Sequence, residues 1–228
     1  MIILETNKLD YVLSEEYISL CVANRKVNDY KQLPKVLDIY KELINEYEGF
    51  PLMMSDQQFY ETKITFPKGN YYEIAWDTLR ARQIIEEEKI PIRTLDVEYL
   101  KNCIDVKNIN RSNLKDALEN DEPIIVISYP ILNQEHAHIV IDGNHRAYSR
   151  HLNGVKGVAG YILEPPQHLW AMLSPLFQVL YLIHQGVVTI IDYMQGKVSA
   201  EELSAIINST DCYIHASDKF TDYLLSGQ

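Results

Sequence analysis

Ile139-Val140-Ile141-Asp142-Gly143-Asn144-His145-Arg146-Ala147-Tyr148 is the stretch that decides how this chain is read. An apolar run of strand character enters Asp-Gly-Asn-His-Arg directly, and helical character from Arg146 to Asn153 follows until Gly154 stops it. Working outward, Pro123-Ile124-Ile125-Val126-Ile127 is a second continuous apolar run, the pattern of a strand covered on both faces. Ser112 is placed to cap a helix through Asn120, with Leu114, Ala117 and Leu118 on one face. Ile90 to Leu95 and Val158 to Leu163 read as further strands, and Glu164-Pro165-Pro166 ends the pattern. Residues 89–164 thus have an α/β rhythm.

The flanks differ. Residues 1–88 read as mainly helical: Leu33, Val36, Leu37, Tyr40, Leu43, Ile44 and Tyr47 recur at three- and four-residue steps before Gly49. A second helical run is expected over about Glu73–Glu88, and Thr62–Phe66 alternates as a short strand closed by a Pro67–Asn70 turn. The tyrosines of this stretch are expected on an amphipathic packing face. Residues 165–228 read as helical again, with an apolar run from Leu169 to Met194 and a capping box at Ser199-Ala200-Glu201-Glu202. The expected organisation is an N-terminal helical extension (1–88), a small mixed-sheet α/β (α+β) domain (89–164) and a C-terminal helical extension (165–228).

Composition narrows the function classes. The 228 residues carry 21 Lys+Arg against 32 Asp+Glu, a net charge of −11, so the overall field repels nucleic acid. Cys21, Cys103 and Cys212 are odd in number and scattered, which supports neither a zinc site nor a disulfide framework and suits a reducing cytoplasm. The first residues lack the basic start and apolar core of an export signal. Gln178, His184, Gln185 and Gly186 interrupt the apolar run around Leu169–Ile191, which is expected as buried helix and not as a membrane span.

The strand–turn–helix stretch has the makings of a phosphate site. Gly143 permits a tight turn and close approach of a ligand to the backbone. The N–H groups that open the next helix, with its dipole, attract an anion. Arg146 can grip phosphate oxygens, and His145 can donate to them or shuttle a proton. Asp142 can hold a metal ion or orient the histidine. In the plainer alternative Asp-Gly-Asn is turn chemistry, with Asp142 or Asn144 capping the helix and His145 and Arg146 on the surface. His136-Ala137-His138, beside Glu135, is a two-histidine spacing without a third ligand nearby. Arg150, one turn after Arg146, would widen the phosphate grip or face solvent. His168, His184 and His215 have no matched partners in sequence, and Glu86-Glu87-Glu88 reads as a solvated helix end.

The order helix, Pro123–Ile127, loop, His138 to Ala147, helix, strand resembles the ParB/sulfiredoxin superfamily over about residues 89–164, a third of the chain. There a Gly-x-x-Arg or Gly-x-His-Arg box between strand and helix binds nucleotide phosphates. Sulfiredoxins need a reactive cysteine where Asn144 stands, and ParB partition proteins carry Glu-Arg where Asn144-His145 stand. Asp142-Gly143-Asn144-His145-Arg146 is most similar to the Asp-Gly-x-His-Arg box of the free-serine kinases. That branch uses ATP or ADP, a metal and an upstream carboxylate as base.

The resemblance therefore implies Gly143, Asn144, His145 and Arg146 on the phosphates, Asp142 on Mg²⁺ and His145 in catalysis. Glu98 or Asp105 would be the base, with Asp96 as a third candidate. The implied activity is a cytoplasmic ATP-dependent kinase (a transferase) or NTPase acting on a small hydroxyl-bearing acceptor such as an amino acid. Two alternatives stay open. One is a ParB-like nucleic-acid-associated regulator or nuclease with a nucleotide switch, for which Arg80-Ala81-Arg82 and Arg93 are the modest basic cluster. The other is a non-catalytic protein-interaction module. A homo-oligomer joined through the helical extensions is compatible with each.

Overall fold

In the computed structural model of the chain, the described residues are 9–47, 58–129 and 138–207. Gly49, Glu135, His136, Cys212 and His215, singled out in the sequence, lie outside them. The described residues form a mixed α/β protein with two small sheets. It divides into two compact units, one spanning 1–53, 62–74 and 174–228, the other 54–61 and 75–173.

The first unit holds α1 (Glu15–Val22), α2 (Leu33–Tyr47) and the long helix Pro175–Met194, which is the seventh α-helix among the described residues and is called α7 below. Ser14 caps α1 by accepting from the Tyr17 amide at 3.2 Å. Leu33, Val36, Leu37, Tyr40, Ile44 and Tyr47 of the α2 stripe are buried as its spacing predicts, while Leu43 at its margin is only half-buried; Tyr17, Tyr40 and Tyr47 are packing residues. The Leu169–Met194 run is not one helix. A 3₁₀ turn occupies Gln167–Ala171, and Ser174 then caps α7 by accepting from the Leu176 amide at 3.2 Å, with Pro175 as the first residue. Proline suits that position, where its missing N–H would have no intrahelical partner. α7 is the described helix long and apolar enough to cross a membrane, and most of it is buried against α1, α2 and their surroundings. The capping box forms as read: the Ser199 amide donates to Glu202 Oε2 at 2.7 Å and the Glu202 amide to Ser199 Oγ at 3.1 Å, opening helical backbone over 200–207.

A two-stranded sheet pairs β1 (Phe59–Thr65) with β2 (Tyr71–Asp77) through a 3₁₀ turn at Pro67–Gly69. The expected helix over Glu73–Glu88 is thus corrected in its first part. β2 runs to Asp77, whose carboxylate accepts from the Leu79 and Arg80 amides at 2.9 and 3.0 Å and starts α3 (Thr78–Glu87).

The second unit is built on the sheet β3-β6-β4-β5: β3 (Arg93–Asp96), β4 (Ile124–Ser128), β5 (His138–Asp142) and β6 (Gly157–Leu163). β3 is antiparallel to β6, β6 parallel to β4, and β4 antiparallel to β5, so the sheet is mixed. Ile124 to Ile127 are all buried, as the continuous run predicts for a strand covered on both faces. Short α4 (Val97–Leu100), α5 (Leu114–Glu119) and α6 (Asn144–Leu152) complete the unit. Ile124, Val126, Val140, Ala147 and Val158 share a core cluster with Val97 and Leu100. The helix expected to start from a Ser112 cap begins instead at Leu114 without a side-chain cap, and Ser112 lies in a 3₁₀ turn (Arg111–Asn113) that Asn110 caps by accepting from the Ser112 amide at 3.1 Å. β5 is an edge strand, and the Val140 amide donates to the Cys103 carbonyl at 3.1 Å, so the turn after α4 covers part of that edge.

Candidate functional site

The Asp142–Arg146 box stands where β5 passes into α6. Gly143 has φ +90°, a left-handed conformation that a side chain resists. A Cβ there would lie 2.9 Å from both Ile124 Cβ and Arg146 Nη2. The glycine is therefore fixed by backbone conformation and by space. No side chain caps α6, so its first N–H groups have no capping oxygen among the described residues.

Each neighbouring side chain has a defined partner. Asn144 Nδ2 donates to the Val140 carbonyl at 2.8 Å, and its Oδ1 accepts from the Asp105 amide at 3.3 Å. Half-buried His145 accepts the Asn110 amide at Nε2, 2.9 Å away, which leaves the ring proton of the neutral form on Nδ1. Arg146 is buried. Its Nη1 meets Glu122 Oε2 at 2.9 Å, and its Nη2 reaches the Pro123 carbonyl and Asp142 Oδ2 at 3.4 Å. Asp142 Oδ2 also receives Arg82 of α3. The two guanidinium groups balance the carboxylates of Asp142 and Glu122, so the positive character of the site comes from the helix start.

The remaining candidates separate. Asp105 sits in the turn that Asn144 holds, and its own carboxylate accepts from the Lys107 amide at 3.2 Å and Asn108 Nδ2 at 2.6 Å. Glu98 lies near the opposite end of α6, where it pairs with Lys101 and stands 3.6 Å from His151 Nδ1. His145 and His151 are six residues apart, about 9 Å along the helix axis. Glu98 and His151, with Asp96 and Lys156, line a separate pocket of about 380 Å³. Asp96 caps α4 by accepting from the Glu98 amide at 2.9 Å. Arg150 neither faces solvent nor extends the box: it is buried, holding the Asn120 carbonyl at 3.0 Å and Asp121 at 2.9 Å beyond the end of α5. His138 pairs through Nδ1 with the Tyr99 hydroxyl. Among the described residues no three potential metal-ligating side chains gather. Arg80, the other arginine of the α3 cluster, pairs with Glu87 at 3.3 Å, so both cations of that cluster face carboxylates.

Arg82, Glu122 and Asn110 are the contributors that the sequence did not assign to the box. For Arg82 a signal was present. It follows Thr78 by four residues and precedes Ile85 by three, so it stands at the edge of the buried stripe of α3, within reach of the rest of its unit. Comparison of the chain with protein-family models, with curated proteins and with solved structures finds no match to set beside this geometry.

Proposed function

We propose that this chain binds the phosphates of a nucleotide, ATP foremost, at the start of α6 in a domain of the ParB/sulfiredoxin kind. It would pass a phosphoryl group to a small hydroxyl-bearing acceptor such as an amino acid, or to water. The observation that carries the reading is the uncapped start of α6, reached directly from β5 through a left-handed glycine. The amides of Asn144, His145 and Arg146 would receive phosphate oxygens. His145, its Nε2 engaged by the Asn110 amide, presents Nδ1–H as a donor to charge developing on the transferred group. Asp105 is the better supported base, because its turn is tied to Asn144 while Glu98 lies at the other end of the helix. Phosphoryl transfer asks mainly for positioning and charge neutralisation.

The donor set fits nucleotide phosphates better than it fits a resident metal. Asp142 already faces two arginines, and among the described residues no metal-ligating cluster surrounds it. Mg²⁺ carried by the nucleotide would supply further neutralisation here, with Asp142 as the residue of the box that would hold it.

A second reading has its own observation. Asn144, His145 and Arg146 each tie a different segment (the Asp105 turn, Asn110 and Glu122) to α6, so the box also works as a structural hub. A thermal-shift panel of ATP, ADP, CTP and GTP with and without Mg²⁺ separates the two. A ligand at about 100 times its dissociation constant stabilises by roughly 2.7 kcal/mol, or about 5–10 °C for a chain of this size. An adenine-selective shift is expected. A CTP-selective shift moves the function to a ParB-like switch, and no shift with any nucleotide leaves the hub alone standing.

A further inference from the structure

We infer that Arg82, on α3 and sixty residues from the box, is the exchangeable phosphate-gripping cation of this site, and that Asp142 holds it as a placeholder anion until phosphate arrives. The inference rests on the phosphate-binding reading above and reassigns the grip from Arg146.

The two arginines on Asp142 are held very differently. The Arg146 side chain is 8% exposed and is fixed by Glu122, the Pro123 carbonyl and Asp142 together. Turning it toward a ligand would strip a buried charge of several partners at once, which is expensive. The Arg82 side chain is 40% exposed, and among the described residues its polar partner is Asp142 alone. Releasing a half-exposed ion pair costs little. A guanidinium offers five N–H donors in a planar fork, and phosphate accepts such a fork in charge-assisted bonds stronger than most.

Position completes the argument. Asp142 immediately precedes Gly143, so an anion seated on the α6 amides comes close to its carboxylate. Like charges repel there unless a cation stands between them or changes sides. Arg82 already touches that carboxylate and comes from a separate helix, so a change of its rotamer leaves the β5–α6 turn in place. Arg146 stays where it is and keeps the turn folded.

The test is calorimetric titration of the full chain with inorganic pyrophosphate and with ADP, in EDTA so that no metal contributes. Arg82→Gln should weaken both ligands tenfold or more, and the salt dependence of binding should become shallower. Asp142→Asn should tighten both by about three- to fivefold, since it removes the competing anion and its repulsion; a merely structural role for the pair predicts the opposite sign. Wild-type melting temperature in both variants guards against misfolding, and tightening in Asp142→Asn carries the inference if Arg82→Gln does not fold. Wild-type affinity in folded Arg82→Gln, or weaker binding in Asp142→Asn, overturns the exchange and leaves the phosphate site standing. Absence of binding by the wild-type chain overturns both.

Discussion

Acidification should unfold this protein through two histidines that the fold keeps neutral. His168 is fully buried, with its ring 6.4 Å from that of Trp76, and His184 is buried against Tyr72 and Phe66, its Nδ1 2.5 Å from the Tyr72 hydroxyl. Burial pushes each down to about 3 from 6.5; for His168 a hydrogen bond with the Ser128 backbone opposes that shift. The native state therefore refuses a proton that the unfolded chain accepts below about pH 6.5. Their contribution is present in full above that pH and is lost as pH falls toward 3. At pH 5 the loss is 1.5 units at about 1.4 kcal/mol per unit, so about 2 kcal/mol for each histidine and about 4 for both. That is a large part of a typical stability of about 5–15 kcal/mol. Urea unfolding at about pH 7 and about pH 5 measures the loss. His168→Asn and His184→Asn should each narrow the gap between the two pH values by about 2 kcal/mol, with the titration of the carboxylates common to all three proteins. Trp76 fluorescence follows the unit that contains His168. An unchanged gap in both variants would refute the reasoning.

Other outcomes follow from single positions. Gly143→Ala adds a side chain at φ +90° and 2.9 Å from Ile124 Cβ, and should cost about 2–5 kcal/mol, read as a lower melting temperature. Gly186→Ala on α7 would place a Cβ 2.9 Å from Tyr40 Cζ and still closer to its hydroxyl; a loss of about 1–3 kcal/mol is expected, and Tyr40→Phe should restore part of it in chemical denaturation. Burial pushes the Cys103 thiol up to about 11, so at pH 8 roughly one molecule in a thousand carries its thiolate. Alkylation mapped by mass spectrometry should find Cys103 modified later than half-buried Cys21 in the native protein and equally fast in urea.

The parts of the fold that the sequence disclosed are those with local causes. β4 and β6 announce themselves as apolar runs of strand length, α6 by its glycine at each end, and the 199–202 capping box by its spacing. β2 escaped because Ile74 and its neighbours also suit a helical stripe. Its pairing with β1 decides the matter, although Asp77 marks the helix start in plain view. Ser112 falls inside a 3₁₀ turn that Asn110 caps two residues earlier, so α5 starts at Leu114; which of two good capping residues is used, and for which turn, local chemistry leaves open. At the site, the position of the box was legible and the occupation of its side chains was not. In sequence Arg146 offers itself as a free grip, yet Glu122, twenty-four residues away, and Asp142 occupy it. Glu98 and Asp105 looked equivalent in sequence, and only the packing of α6 sends them to opposite ends of one helix.

The way the chain is threaded through its two units has a consequence for biosynthesis. The four-stranded sheet uses one continuous stretch, residues 93–163, so it can close as soon as that stretch leaves the ribosome. α2 has to wait for α7, and 147 residues separate Tyr47 from Met194. At about 5–20 residues per second that interval is roughly 7–30 s. Throughout it the stripe of Val36, Leu37, Tyr40 and Ile44 lacks the helix it will pack on, a surface suited to a chaperone and exposed to misassembly.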